Sequence, residues 1–463
     1  MLYNTLSSPE ETLFMRKLAA AVLLACCAVS AAALHFTPQT ALAQDKTLPA
    51  VFTVDTYIAA FLESSPRLKA QKNTLKSAQN TYKNAFTNAF LPSFSFGASA
   101  DKTYNRYRRL SSWDDLNHAD SSARAQGGWN LFNSGKDALA YKSASLDWQI
   151  SQIEYEESVQ NFVLEAVQTY YNLLLGEKLL KVYEDDLQVA QKQYEQDKVL
   201  YDNGLKTRSD LLSSETNFRS SQLSLFSAQS DYENALKNFN IALNLPVERP
   251  AKLDETISED LPALPGLDQD LTAALAHRYD ARTRRLRLRQ SDVSQTLDNL
   301  NTLPSVFVDL FASTGRGFNS HELWEYNYGI SAGISFDIGF FYLDKYRSRQ
   351  NIRLSNENAH LEYEQFLRSL RDAVVEARNA LLLKMRSLEI SKLRLQAAEQ
   401  KFEATQLKYK NGLMSATDLT VARQEMISAQ VNYATLLSEL TITRLRYQNA
   451  LGNPIYDYNP EDL

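Results

Sequence analysis

Two matched stretches hold the residues best placed for chemistry: YDNGLKTRSD from Tyr201 to Asp210 and YKNGLMSATD from Tyr409 to Asp418. Each ends in a carboxylate three residues after a hydroxyl, Thr207 before Asp210 and Ser415 before Asp418. That spacing is a capping box, in which hydroxyl and carboxylate satisfy each other's backbone amides at the start of a helix. Gly204 and Gly412 supply the positive φ that ends the preceding helix, and Leu205 and Leu413 follow them. Elsewhere the chain offers little chemistry. Past the leader, His118, His277, His321 and His360 are scattered without ligand spacing. No Ser-His-Asp arrangement or glycine-rich phosphate loop is present. We expect no catalytic site, no metal and no cofactor.

The N-terminus reads as an export leader. Met15-Arg16-Lys17 is basic, Leu18 to Leu34 is apolar, and Ala41-Leu42-Ala43 gives a small-x-small cleavage site before Gln44. Residues 1–43 are therefore expected to be a signal peptide, with Met15 a second candidate for the true start. Leu23-Leu24-Ala25-Cys26 also fits a lipoprotein box, with Cys26 as the acylated residue. Both cysteines, Cys26 and Cys27, lie in this leader, so the exported chain would carry no thiol. The net charge of -6 argues against a nucleic-acid partner. Beyond residue 43 no run approaches the ~18 apolar residues a spanning helix needs, so a membrane could be crossed only by strands.

The turns must be held by long helices. No proline falls between Pro92 and Pro246 or between Pro304 and Pro454, and proline in a helix interior costs about 3 kcal/mol. Val159, Phe162, Ala166, Leu173, Leu180, Tyr183, Leu187, Ala190, Tyr194 and Tyr201 keep a heptad seam, as do Leu388, Leu395, Ala398, Phe402 and Tyr409. Thr169, Gly176 and Asp197 are small or polar gaps in it. A constant offset carries Leu180 onto Leu388, Ala190 onto Ala398, Gly204 onto Gly412, Asp210 onto Asp418 and Pro246 onto Pro454. Leu91-Pro92-Ser93 and Leu303-Pro304-Ser305 match at nearly the same offset. The chain thus reads as two copies of one unit, 44–246 and 277–454, with 247–276 between them and 455–463 as a tail. Each unit should run short helix (66–90; 279–303), strand pair, long helix (135–201; 340–409), turn, and medium helix (207–243; 415–451). Short plus medium nearly equals long, so the quoted turns should lie at the tip furthest from the strands.

The strand pairs alternate. Phe94, Phe96, Ala98 and Ala100 take turns with Ser93, Ser95, Gly97 and Ser99. Ala123, Ala125, Gly127, Trp129 and Leu131 do so with Ser122, Arg124, Gln126, Gly128 and Asn130. In the second unit Val306, Val308, Leu310 and Ala312 alternate with Phe307, Asp309, Phe311 and Ser313, and a fourth run covers 326–337. About ten residues suffice for a tilted transmembrane strand, although an ordinary half-buried sheet has the same pattern. Lys102–Asp120 and Thr314–Glu325, polar with Tyr104, Tyr107, Trp113 and Trp324, are expected to be outer loops.

The two N-G-L…D tips, the L-P-S turns into strands, Leu131-Phe132-Asn133-Ser134-Gly135 leaving them, and the closing Ala450-Leu451-Gly452-Asn453-Pro454 together resemble the TolC-like outer-membrane channel-tunnel family over about residues 50–456. The resemblance implies an α+β membrane protein. It would be a homotrimer in which each chain gives four strands to a shared barrel in outer-membrane lipid and long helices to a coiled-coil barrel across the periplasm. Around Val247 to Ala276 it implies a mixed equatorial region. It further implies that the tip docks a periplasmic adaptor joined to an inner-membrane RND or ABC transporter, for efflux or type I secretion. Gly204, Leu205, Gly412 and Leu413 become adaptor contacts. Asp418 and Asp210 become the entrance, where three copies would converge and favour cations. Val421, three residues after Asp418, leaves a second acidic ring missing, and Asn130 stands where family members often have proline. The alternative from the residues alone is a periplasmic coiled-coil scaffold or adaptor with no channel.

Overall fold

The computed structural model describes residues 51–109, 112–254, 264–300, 303–317, 325–335, 342–411 and 413–456. Cys26, Gly412, Trp324 and the tail beyond 456 lie outside the described residues. The elements are α1 Val54–Ser64, α2 Pro66–Phe90, β1 Ser93–Arg109, β2 Ser112–Phe132, α3 Lys136–Asp202, α4 Arg208–Ala242, α5 Leu267–His277, α6 Tyr279–Leu300, β3 Ser305–Gly317, β4 Glu325–Ser335, α7 Tyr342–Lys410 and α8 Ala416–Ala450. The protein is mostly helical with one small antiparallel sheet.

The halves match element for element. The long helices α3 and α7 have 67 and 69 residues, about 100 Å at 1.5 Å per residue. The medium helices α4 and α8 have 35 each. Two helices were not foreseen. Helix α1 starts in a capping box on Thr53, and α5 straddles the boundary expected at 276. Ser65 caps α2, whose first residue is Pro66, where a missing N–H costs nothing.

In the sheet the order is β1-β2-β3-β4, each pair antiparallel, so the two units join through β2 and β3. Phe94 pairs with Gly127, Gly127 with Leu310 and Leu310 with Ile330. One face therefore carries Phe94, Phe96, Trp129, Leu310, Tyr328, Ile330 and Ile334, all exposed. Leu131 leaves the expected alternation. It is the extra residue of a bulge between Asn130 and Phe132, and Phe132 takes its place opposite Val306. The expected outer loop Lys102–Asp120 is largely strand, since β1 and β2 stay paired from Ser93↔Gly128 to Arg109↔Ser112. Thr314 to Gly317 likewise extend β3. Backbone pairing does not need the side-chain alternation that a half-buried face imposes, so a strand can form where the sequence has no two-residue signature. Phe307 and Phe311 lie on the otherwise small, polar face, their ring ends over Gly333 and Gly329, where a Cβ would meet them at 2.7 and 2.8 Å.

Near the sheet the helices lie in the order α2-α3-α6-α7; beyond the middle the order is α4-α3-α8-α7. At the waist Tyr57, fully buried, stacks on Phe239 at 4.3 Å. Tyr170 Oη donates to the Phe52 and Asp254 carbonyls at 2.9 and 3.1 Å, clasping the bridge from Phe52 to Leu253. Ala274, Leu370, Val374, Leu381, Leu437 and Tyr447 form a second core. Of the aromatic residues in the seam, Phe162 and Phe402 are buried packing.

Candidate functional site

At the far end α3 closes in a Schellman motif. Gly204, φ 73°, donates to the Tyr201 carbonyl, and Leu205 N–H reaches back to Leu200 O, both at 2.8 Å. Leu413 N–H repeats that bond to Lys408 O at 2.9 Å. Such motifs often bury the residue after the glycine against the last turn. Here Leu205 and Leu413 are 73% and 75% exposed, so they are displayed at the tip.

Both expected capping boxes are present with the same geometry. Asp210 Oδ2 accepts from the Thr207 hydroxyl at 2.7 Å and the Thr207 amide at 3.2 Å, while Thr207 Oγ1 accepts from the Asp210 amide at 3.2 Å. Ser415 and Asp418 repeat all three distances. Hydroxyl and then backbone hydrogen bonds hold both carboxyls below their ordinary value. Within one chain both aspartates therefore serve as caps and stay ionised.

The structure adds a cluster that sequence reasoning missed. Asp197, fully buried on α3, accepts from Gln193 Nε2 at 2.9 Å, from Tyr409 Oη at 2.9 Å and from Lys206 Nζ. Lys206 also donates to Tyr409 Oη, as Gln193 does at 2.7 Å. The Lys206 ammonium lies 4.7 Å from the Tyr409 ring centre. Burial opposes the charge of Lys206, but its bonds to Asp197 and Tyr409 outweigh that and raise its pKa. Burial raises the Tyr409 phenol. Residues of α3, the first turn and the end of α7 are thus fastened into one knot between the two hairpins. Asn217 Nδ2 donates to Thr420 Oγ1 at 2.8 Å across the same seam. Further from the tip, Arg423 on α8 faces Asp186 on α3 at 3.4 Å, both over nine-tenths buried. The available signal was a carboxylate inside an apolar heptad seam, since such a group stays buried only when paired.

The outer membrane efflux protein family model matches residues 57–244 and again 271–453. The chain belongs to this family. No curated protein matches it in sequence. Solved structures share the fold at low identity. The CmeC outer-membrane channel of Campylobacter jejuni is 18% identical, with a TM-score of 0.70 over 90% of this chain and 92% of its own. VceC of Vibrio cholerae is 17% identical, with a TM-score of 0.67 over 87% and 97%. The MtrE channel of Neisseria gonorrhoeae, in its open state, is 18% identical, with a TM-score of 0.65 over 89% and 94%. The efflux protein is accordingly an outer-membrane channel, a passive conduit rather than an enzyme, with its helices in the periplasm. Among the described residues no helix is long and apolar enough to cross a membrane, and no His, Cys, Asp and Glu group could hold a metal.

Proposed function

We propose that the efflux protein is a homotrimer built from a duplicated unit. Three four-stranded sheets close one barrel in the outer membrane, and the helices form a tunnel whose far tip is a gate. The observation that carries this reading is the open edge on each side of every layer. Among the described residues β1 and β4 each lack a second neighbour in the sheet. In the helical layers α7 is the edge on one side throughout, and α2 and α4 are the edge on the other. Unlike edges join head to tail, and such contacts close into a ring when the rotation permits. The exposed aromatic face of the sheet is then the lipid face.

At the tip we assign the knot of Gln193, Asp197, Lys206 and Tyr409 to holding the hairpins together in the closed state. Leu205 and Leu413, each following a glycine in sequence, Gly204 and Gly412, are the surface for a periplasmic adaptor, which would link the channel to an inner-membrane RND or ABC transporter. Their exposure supports this assignment. The adaptor opens the tip by binding a splayed state better than the closed one. Purified protein placed in planar bilayers should give discrete single-channel conductance, and mass photometry in detergent should read three chains. A monomer without conductance overturns the reading. Leu205→Asp and Leu413→Asp should abolish adaptor pull-down while leaving conductance in place; retained capture would remove the leucines from the interface.

A further inference from the structure

The repeat predicts which residues meet between copies, because a contact inside one chain has a counterpart across the ring. Inside the chain α3 packs on α8, and between them lies a groove lined by Val182, Asp185, Asp186, Arg423 and Ala434 among others. The offset that superposes the two tips carries α3 onto α7 and α8 onto α4. It turns Val182 into Ile390, Asp185 into Leu393, Asp186 into Arg394, Arg423 into Glu215 and Ala434 into Phe226. Ile390, Leu393 and Phe226 are 52%, 63% and 70% exposed, and all lie on the two edge helices. The internal ion pair Asp186–Arg423 maps onto Arg394 and Glu215 with both signs reversed, so its attraction survives. Alanine at 434 becomes phenylalanine at 226, a bulkier filling for the matching groove.

We infer that α7 of one copy packs on α4 of the next in the register that sets Arg394 against Glu215 of that second copy, with Phe226 entering between Ile390 and Leu393. This rests on the ring reading above. A second region agrees. Inside the chain Arg282 and Arg287 of α6 pair with Glu156 and Glu154 of α3 at 3.1 and 2.7 Å. The tip offset sends the two glutamates to Glu364 and Glu362 on α7, and the strand-entry offset, which carries Leu91 onto Leu303, sends the arginines to Ala70 and Leu75 of α2, flanked by Lys69, Lys72 and Lys76. Helix α2 has five basic residues and no acidic one. Acid on one edge therefore meets base on the other near the sheet. Toward the tip the acid lies on α4 and the base on α7. Sliding the edges by a heptad would set Arg394 against Gln222 or Arg208 and forfeit the match toward the tip, which selects the register, while Lys69, Lys76 and Lys83 recur at that spacing and fix only which edges meet.

Charge reversal tests this on the full-length trimer. Arg394→Glu and Glu215→Arg should each speed subunit exchange between differently tagged trimers by about tenfold, and the double reversal should return it close to the wild-type rate. A second measurement does not depend on stability. The exported chain lacks cysteine once its leader is removed, so Glu215→Cys with Arg394→Cys treated with a short bis-maleimide should yield covalent trimers on a denaturing gel, and either cysteine alone should not. Wild-type trimers that show additive single effects and no ladder overturn the register but leave the channel standing. A wild-type monomer overturns the ring itself.

Discussion

The two hairpin tips are built alike and used differently. Both carry the same backbone bond reaching back into the long helix, from Leu205 and from Leu413, and enter the next helix through capping boxes that agree in all three distances. Around this shared frame the matched positions diverge. Asp197 corresponds to Thr405, Lys206 to Met414 and Gln193 to Lys401, while Tyr409 corresponds to the more exposed Tyr201. The first tip supplies the carboxylate, the ammonium and the amide; the second supplies the phenol that closes the knot. The backbone instructions recur at both tips, while the buried polar chemistry seen within the chain is gathered at one junction, between the first turn and the end of α7.

The sharpest way to break this comparison is to remove the carboxylate. Asp197→Ala leaves the Lys206 ammonium without its partner. The loss should be about 2–3 kcal/mol, below the ~3–5 kcal/mol of a fully buried pair, because Lys206 is 17% exposed and can swing toward water. Thr405→Ala at the matched position removes one hydroxyl bond to the Lys401 carbonyl at 2.8 Å and should cost about 1 kcal/mol at most. Thermal unfolding in detergent reads the cost, and single-channel recording should show added leak for Asp197→Ala only. Equal leak from both variants would mean that the knot is ordinary packing.

A smaller effect separates the tyrosines. Tyr409→Phe deletes the phenol that accepts from Gln193 and donates to Asp197, a loss of about 1 kcal/mol since Lys206 still serves the carboxylate. Tyr201→Phe, at a residue 37% exposed, should change neither stability nor leak measurably. If Tyr201→Phe opens the channel more than Tyr409→Phe, the lock has been placed at the wrong tip.

The caps should respond equally. Thr207→Ala should cost about 1 kcal/mol, and Ser415→Ala should fray α8 to a similar extent, seen as faster amide exchange at residues 210 and 418. Their acid dependence has a definite sign. Both carboxyls sit below their ordinary value of 3.8, so each cap contributes in full above that value. It is lost as pH falls through the depressed one. Protection factors at both positions, taken relative to the intrinsic exchange rate at each pH, should therefore fall together on acidification. A fall at one tip alone would show that the two boxes are not equivalent in solution.

Much of this frame was legible in the residues. The proline-free intervals and paired N-G-L…D turns placed α3, α4, α7 and α8 within a few residues, because helix interiors and ends obey local rules. Where tertiary context decides, the sequence was silent. Helix α5 hid in a proline-flanked linker, and it is held by packing against α6 and α7. The outer halves of β1 and β2 hid because their residues lack a two-residue alternation, and backbone pairing forms without one. Asp197 was visible only as a gap in a seam. Its meaning depends on Tyr409, two hundred residues away, and no local pattern reports that pairing.

The faintest difference concerns the two aspartates themselves. If three chains converge at the tip, Asp418 and Asp210 lie at unequal distances from the axis, and the nearer ring governs selectivity. The resemblance puts Asp418 nearer. Capped carboxylates that stay ionised would favour cations, and Val421 leaves that ring without a second carboxylate one turn away. Screening at about 8 Å in physiological salt limits the effect. Asp418→Ala should then lower the potassium-to-chloride permeability ratio by about twofold or less at that ionic strength, and by more at ~0.01 M salt, where the screening length grows to about 30 Å. Asp210→Ala should shift it less. Reversal potentials across a salt gradient measure both. A ratio unmoved by Asp418→Ala in dilute salt would reduce both aspartates to helix caps, and the two tips would then differ only in the knot between them.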